Sequence, residues 1–111
     1  MITVIKSPFV QYKLTILRNK KTSNTVFRQT MNEISYLIAS DVLQYVPFKK
    51  QTIETPLKKM SGTALGQPII LVPILRAGLG LLEGFAKFLP EAEKGHIGLY
   101  RDEQTYELSL I

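Results

Sequence analysis

The sequence predicts an α/β fold in which N-terminal helices precede a βαβ unit of a parallel sheet. Three segments in the second half of the chain carry this prediction. Residues 69–72 are apolar on both faces, which is typical of a strand in a parallel sheet covered by helices. Residues 79–89 then place apolar side chains at helical spacing, and residues 97–100 form a second short apolar strand. Strand, helix and strand in this order favour a right-handed crossover.

Two helices are predicted before this unit. Residues 2–5 are expected to form a short strand, and Pro8 then suits the first turn of a helix that runs to about Arg18. A second helix carries the clearest periodic stripe, which Pro47 ends. We interpret this stripe as core packing and not as a binding surface. Its members are Phe27, Met31, Ile34, Ile38, Val42 and Tyr45.

The remaining segments give weaker signals. Residues 52–55 are predicted as a short strand, and residues 58–67 as a polar connector without a strong structural preference. Because Pro73 has no N–H to donate, pairing of the apolar strand should end or bulge near Val72. Residues 104–111 resemble the start of another extended segment that has no partner, so we expect an open sheet edge there.

The composition limits the possible functions. The chain has 111 residues, which suits one domain, and 45% of them are apolar, as in ordinary globular proteins. It has no cysteine and one histidine, which excludes disulfides, thiolate nucleophiles and histidine-based zinc sites. The net charge of +5 favours anionic partners, but the basic residues are dispersed and form no nucleic-acid arm. We expect a cytoplasmic protein, since no segment resembles a signal peptide or a membrane span.

The candidate site follows the apolar strand. Gly78 and Gly80 lie where a strand leads into a helix, and glycine there permits positive φ and lets the backbone approach a ligand closely. The unpaired amides of a helix N-terminus suit a phosphate, and Arg76 offers a planar fork for phosphate oxygens. Arg101 ends the next strand and would share the same edge if the two strands are parallel. The alternative is that the glycines serve packing or turns and that Arg76 is simply solvated.

The other ionisable residues favour structural roles. His96 precedes its strand and should lie at the opposite end from the arginines, as a structural or surface residue. Glu83 is interpreted as a solvated or paired carboxylate, and Asp102 and Glu103 as residues that orient Arg101. No catalytic triad, pair of catalytic carboxylates or metal-ligand cluster can be assembled from the sequence.

Two sequence blocks resemble those of uracil phosphoribosyltransferases. They are residues 72–80 (Val-Pro-Ile-Leu-Arg-Ala-Gly-Leu-Gly) and residues 95–102 (Gly-His-Ile-Gly-Leu-Tyr-Arg-Asp). Residues 8–15 and the pair Phe27-Arg28 support the resemblance, which extends over essentially the whole chain. It implies a partial type I phosphoribosyltransferase fold, with residues 1–111 as the N-terminal part of a single domain.

The resemblance also implies a reaction, in which uracil and phosphoribosyl diphosphate give UMP and diphosphate in pyrimidine salvage. Arg76, Ala77, Gly78 and Arg101 correspond to positions that bind phosphoribosyl diphosphate, and Mg²⁺ travels with that substrate. No catalytic residue and no protein metal ligand is implied among these 111 residues.

The sequence departs from the family in what it lacks. In the family a dimer-forming segment, a loop for the ribose 5-phosphate and a uracil-binding segment follow, and none occurs here. The resemblance therefore implies that this chain alone does not complete the reaction. The expected partners are the two small-molecule substrates and either further copies of the chain or a complementary C-terminal chain. The alternatives are a truncated, non-catalytic subunit that docks onto such a chain, and a small basic nucleic-acid-binding domain.

Overall fold

The computed structural model describes residues 2–75, 78–101, 104 and 108–110, with the backbone alone described for 99–101 and 108–110. Three α-helices, one 3₁₀ turn and seven strands form these parts of the chain. In chain order they are α1 (Pro8–Arg18), α2 (Asn24–Val42), the 3₁₀ turn Leu43–Tyr45, β1 (Phe48–Glu54), β2 (Lys59–Leu65), β3 (Ile70–Leu71), β4 (Ile74–Leu75), α3 (Leu79–Phe88), β5 (Glu93–Lys94), β6 (Ile97–Arg101) and β7 (Leu108–Leu110).

The first two helices form an antiparallel pair joined by a short turn. Helix α1 has the predicted bounds, with proline at its first position. Helix α2 begins after Ser23, whose hydroxyl accepts a hydrogen bond from the Val26 N–H at 3.2 Å. An ion pair joins the two helices, because Lys13 Nζ lies 2.6 Å from Glu33 Oε2.

The strand predicted at residues 2–5 is wrong, since residues 2–7 have no regular secondary structure. Ile2 is 90% exposed and Val4 66% exposed. Within the described part of the chain no strand pairs with this segment, so its apolar residues do not suffice for a strand.

Helices α2 and α3 pack closely, and this contact decides which face of α2 is buried. Ser35 is fully buried and its Oγ accepts a hydrogen bond from the Gly84 N–H at 2.9 Å. The predicted apolar stripe is only partly buried: Ile34 is 3% exposed, whereas Tyr45 is 69% exposed. The buried face of α2 is instead formed by Thr30, Ile34, Ser35 and Ala39. The small side chain of Ser35 lets the backbone of α3 approach that of α2 closely at Gly84.

The second half of the chain forms the predicted βαβ unit. Strand β3 pairs with β5, and β4 with β6, in parallel, while α3 makes the connection. The strand is interrupted at Val72 and Pro73, as predicted from the proline. Helix α3 ends before Pro90, also as predicted.

Two expectations about the sheet are wrong. The strand was expected to be covered on both faces, but Ile70 is 60% exposed and Ile74 48% exposed while Leu71 is buried. Only one face is covered because helix α3 packs on one side alone among the described residues. The last segment was expected to have no partner, but β7 pairs with β6 in an antiparallel register.

Residues 48–65 form a hairpin, which we call the arm. Strands β1 and β2 pair along their whole length, from Phe48 opposite Leu65 to Glu54 opposite Lys59. The prediction of a connector without strong preference over residues 58–67 is therefore wrong. All residues of β1 are exposed, so neither strand has a buried face that would impose an alternating apolar pattern. The radius of gyration is 18.2 Å, against about 13 Å for a compact domain of this length.

Candidate functional site

The candidate site lies at the turn that connects β4 to α3. The Gly78 N–H donates a hydrogen bond to the Ile74 carbonyl oxygen at 2.7 Å, and this bond closes the turn. A Cβ atom at position 78 would lie 2.6 Å from both the backbone nitrogen and the oxygen of Ile74. Glycine is therefore required at this position by the close approach of two backbone segments.

Neither glycine adopts the positive φ that this residue type permits. Gly78 has a φ of −63° and a ψ of −18°, which any residue can adopt. Gly80 lies within α3, and a Cβ atom there would meet the Met31 side chain at 3.4 Å. The packing interpretation of these glycines thus describes their backbone better than a strained turn does.

The N-terminus of α3 has the electrostatic features of an anion-binding end. Gly78 provides no side-chain cap, and no acidic residue occupies the first turn. The N–H groups of Gly78 and Leu81 already donate to the carbonyl oxygens of Ile74 and Gly78. The amides at a helix N-terminus together carry a partial positive charge, which would stabilise an anion at this end.

The parallel register relates this end of α3 to the end of β6. Leu75 lies opposite Gly98, and Ile74 opposite Ile97. The carboxyl ends of β4 and β6 therefore lie at the same end of the sheet. This was the condition under which Arg76 and Arg101 could share a site. Arg101 is the last residue of β6 and its backbone pairs with Leu108 of β7.

Two of the predicted site residues, Arg76 and Ala77, lie outside the described residues, and the Arg101 side chain does too. Their roles remain predictions. His96 and Glu83 are exposed, in agreement with their interpretation as surface residues. Asp102 and Glu103 lie outside the described part of the chain. Within that part, no group of three or more acidic or histidine side chains is placed to hold a metal ion.

An apolar groove of about 350 Å³ runs beside the candidate site. Its wall is shared between the β3–β4 segment and α3, and Gly78 lies at one end of it. None of the described residues that line it carries a charged side chain. The lining residues are Ile70, Leu71, Val72, Pro73, Ile74, Gly78, Leu81, Leu82 and Phe85.

Sequence reasoning missed Gly84, which determines where α3 lies. A Cβ atom at this position would lie 2.5 Å from the Tyr36 nitrogen and closer still to the Ser35 carbonyl group. One signal was present in the sequence, because a glycine in a helix interior costs about 1 kcal/mol relative to alanine. Such a glycine indicates a close approach of two backbones. Here the backbones are those of α2 and α3, and the N-terminus of α3 is part of the candidate site.

The fold and the site together define a class. A parallel βαβ unit, with a helix N-terminus at the carboxyl end of its first strand, is an α/β unit. The family model for uracil phosphoribosyltransferase matches residues 4–111. The chain belongs to the uracil phosphoribosyltransferase family.

Individual relatives agree with this assignment. The chain is 47% identical over 105 residues to a uracil phosphoribosyltransferase of Levilactobacillus brevis, which covers 94% of this chain and 50% of the relative. It is 48% identical over 103 residues to that of Lactiplantibacillus plantarum, covering 92% and 49% of the two chains. The chain thus spans about half the length of the curated relatives that it matches.

A solved structure shares the fold. The AQ2163 protein from Aquifex aeolicus superimposes with a TM-score of 0.88 at 29% identity. The match covers 100% of this chain and 54% of that one. The predicted fold class, a partial phosphoribosyltransferase-type fold, is therefore confirmed. No helix in the described ranges is long and apolar enough to cross a membrane.

Proposed function

We propose that these 111 residues supply the diphosphate-binding half of a uracil phosphoribosyltransferase. The reaction joins uracil to phosphoribosyl diphosphate, and it releases UMP and diphosphate in pyrimidine salvage. The proposal assigns substrate contacts to Arg76, Ala77, Gly78 and Arg101. It includes a cytoplasmic location, which the sequence composition favours.

One observation carries the proposal: the parallel register of β4 and β6 in a chain that matches this family over residues 4–111. Arg76 directly follows β4 in the sequence and Arg101 ends β6, so parallel strands would bring both positions to the same end of the sheet. Helix α3 begins at that end. Two guanidinium groups and a helix N-terminus are a suitable set of donors for a diphosphate.

The chemistry explains why such donors would accelerate the reaction. Negative charge grows on the diphosphate as its bond to the ribose carbon breaks. Fixed cationic groups at that place stabilise the transition state more than the bound substrate. Mg²⁺ enters with phosphoribosyl diphosphate as part of the substrate, so the proposal needs no metal ligand from this chain.

The chain alone is proposed to be inactive. Its relatives are about twice as long, and the resemblance places the 5-phosphate loop and the uracil-binding segment in the part that this sequence does not match. The remaining residues would have to come from a complementary chain or from further copies of a longer subunit.

A radiolabelled uracil-to-UMP assay with phosphoribosyl diphosphate and Mg²⁺ tests the proposal. The chain is assayed alone and then mixed with the residues of the Levilactobacillus brevis enzyme that it does not match. We expect activity only in the mixture, lowered about 100-fold or more by Arg76→Ala or Arg101→Ala. Arg18→Ala, an exposed arginine at the end of α1, is the control and should leave it unchanged.

Two outcomes would contradict the proposal. Activity of the chain alone would show that the missing segments are dispensable. Equal activity of the Arg76→Ala, Arg101→Ala and Arg18→Ala variants in the mixture would show that Arg76 and Arg101 do not make the proposed contacts with the diphosphate.

A non-catalytic role is the second candidate. The exposed side chains of Ile70 and Ile74 on the sheet would suit a subunit that docks onto another chain without taking part in the reaction. This role predicts a stable complex with the complementary residues and no UMP, whichever arginine variant is used.

A further inference from the structure

Helix α2 holds the first half of α3 through two contacts that lie one helical turn apart. Ser35 Oγ accepts a hydrogen bond from the Gly84 N–H at 2.9 Å. One turn nearer the start of α3, a Cβ atom at Gly80 would meet the Met31 side chain at 3.4 Å. In each helix the two contact residues are four positions apart, so they lie on one face. Two contacts spaced along the helix axis restrict both sliding and rotation of α3.

The Ser35 hydroxyl connects the backbones of the two helices. It donates a hydrogen bond to the Asn32 carbonyl oxygen of α2 at 2.7 Å, and it accepts the one from Gly84 of α3. Ser35 is fully buried, so water does not replace either bond. A buried polar group with a partner on both sides is held in one orientation. The Ser35 hydroxyl therefore determines how α3 is seated on α2.

The position of α3 matters because this helix bounds the candidate site. Strand β4 ends at Leu75 and α3 begins at Leu79, so three residues connect them. The hydrogen bond from the Gly78 N–H to Ile74 joins this connection to the strand at 2.7 Å. A peptide chain has only two soft dihedral angles per residue, and so short a connection absorbs little movement of the helix. A displacement of α3 would therefore move Gly78.

We infer that Ser35 is a positioning residue for the diphosphate site, which it influences through α3. The inference rests on the proposed function, in which Gly78 and the two residues before it contact the diphosphate. Substrate does not reach Ser35 itself, because this residue is fully buried. Donors stabilise developing charge only where they are fixed in the right place, and a displacement of about 1 Å lowers the rate by up to about 100-fold. The buried face of α2 thus serves the site as well as the core.

Binding of inorganic diphosphate with Mg²⁺ to the whole chain tests this role without depending on turnover. Isothermal calorimetry measures the Kd. Ser35→Ala removes the acceptor of the Gly84 N–H with little change in volume, and we expect it to raise the Kd about threefold or more. Gly84→Ala forces α3 away from α2 and should raise the Kd about tenfold or more.

A control of similar stability and a spectroscopic measurement separate positioning from stability. Ser23 caps α2 through a 3.2 Å hydrogen bond from the Val26 N–H, and loss of this cap destabilises the chain about as much as loss of a buried hydrogen bond. Ser23→Ala should leave the Kd unchanged. In amide NMR spectra recorded without ligand, Ser35→Ala should shift the signal of Gly78, and Ser23→Ala should not.

Three outcomes would overturn the inference. One is diphosphate binding that is as tight in Ser35→Ala and Gly84→Ala as in the unaltered chain. Another is an equal loss of affinity in Ser23→Ala, which would reduce the effect to stability. The third is a chain that binds no diphosphate, which overturns the proposed function and this role with it. The Gly78 signal would still respond to Ser35→Ala in that third case, and this response distinguishes the two failures.

Discussion

Replacing Gly84 by alanine should destabilise the chain by forcing α3 away from α2. The added Cβ atom would lie 2.5 Å from the Tyr36 nitrogen and nearer to the Ser35 carbonyl. Favourable contact between such atoms begins near 3.5 Å, so the helices would have to separate by about 1 Å. That separation would stretch the 2.9 Å hydrogen bond from the Gly84 N–H to Ser35 Oγ and open voids around Ile34.

The expected magnitude follows from two opposing terms. Overpacking costs about 1–3 kcal/mol, and the upper end applies because backbone atoms, which cannot rotate away, oppose the new methyl group. Alanine in place of glycine in a helix stabilises the folded state by up to about 1 kcal/mol. The free energy of unfolding should therefore fall by about 2 kcal/mol, which corresponds to about 8 °C in the melting temperature.

Gly80→Ala is the matched control in the same helix. Its Cβ atom would lie 3.4 Å from the Met31 side chain, which is flexible enough to move. The variant should be as stable as the unaltered chain or more stable by up to about 1 kcal/mol. Urea unfolding followed by circular dichroism measures both variants. If Gly84→Ala were at least as stable as Gly80→Ala, close packing of α2 and α3 at Gly84 would be refuted.

Three further predictions concern the helix pair and the arm. Lys13→Met removes a short ion pair and should lower the free energy of unfolding by about 1 kcal/mol. Lys59→Met removes a pair that is 3.8 Å long and should change this free energy by at most a few tenths of a kcal/mol. Equal effects of the two variants in urea titrations would contradict the prediction. Ser23→Ala should cost about 1 kcal/mol in thermal unfolding, and Ser7→Ala almost nothing because that hydroxyl makes no capping hydrogen bond. Arm amides should exchange with solvent about 100-fold faster than those of α2, because an isolated hairpin is marginally stable; equal protection would show that the arm packs against another surface.

The sequence was informative where a residue type restricts the backbone or where packing imposes a period. Pro8 marked the beginning of α1, and Pro73 marked the interruption between β3 and β4. The helical period of residues 79–89 predicted α3 together with its end before Pro90. In each case one local rule determines the outcome, so no knowledge of the tertiary contacts was needed.

Other features depend on tertiary contacts that leave little trace in one sequence. Both faces of β1 in the arm are exposed to solvent, and so no alternation of apolar residues predicted β2. The buried face of α2 depends on how closely α3 approaches, and that distance is determined by the contact between Ser35 and Gly84. At the site, the sequence predicted the parallel strands and the helix N-terminus. At Gly78 the turn requires the missing Cβ atom and does not use the positive φ that glycine permits.

The arm also bears on the order in which the chain folds. Hairpins form within microseconds because their contacts are local, while the contact of Ser35 with Gly84 joins residues 49 positions apart. Formation of the arm brings Phe48 next to Leu65 and shortens the loop between Ser35 and Gly84 by about a third. The entropy of loop closure depends only on the logarithm of loop length, so this lowers its cost by only about 0.4 kcal/mol. The rate of folding should therefore depend on the docking of α2 and α3 and hardly at all on the arm.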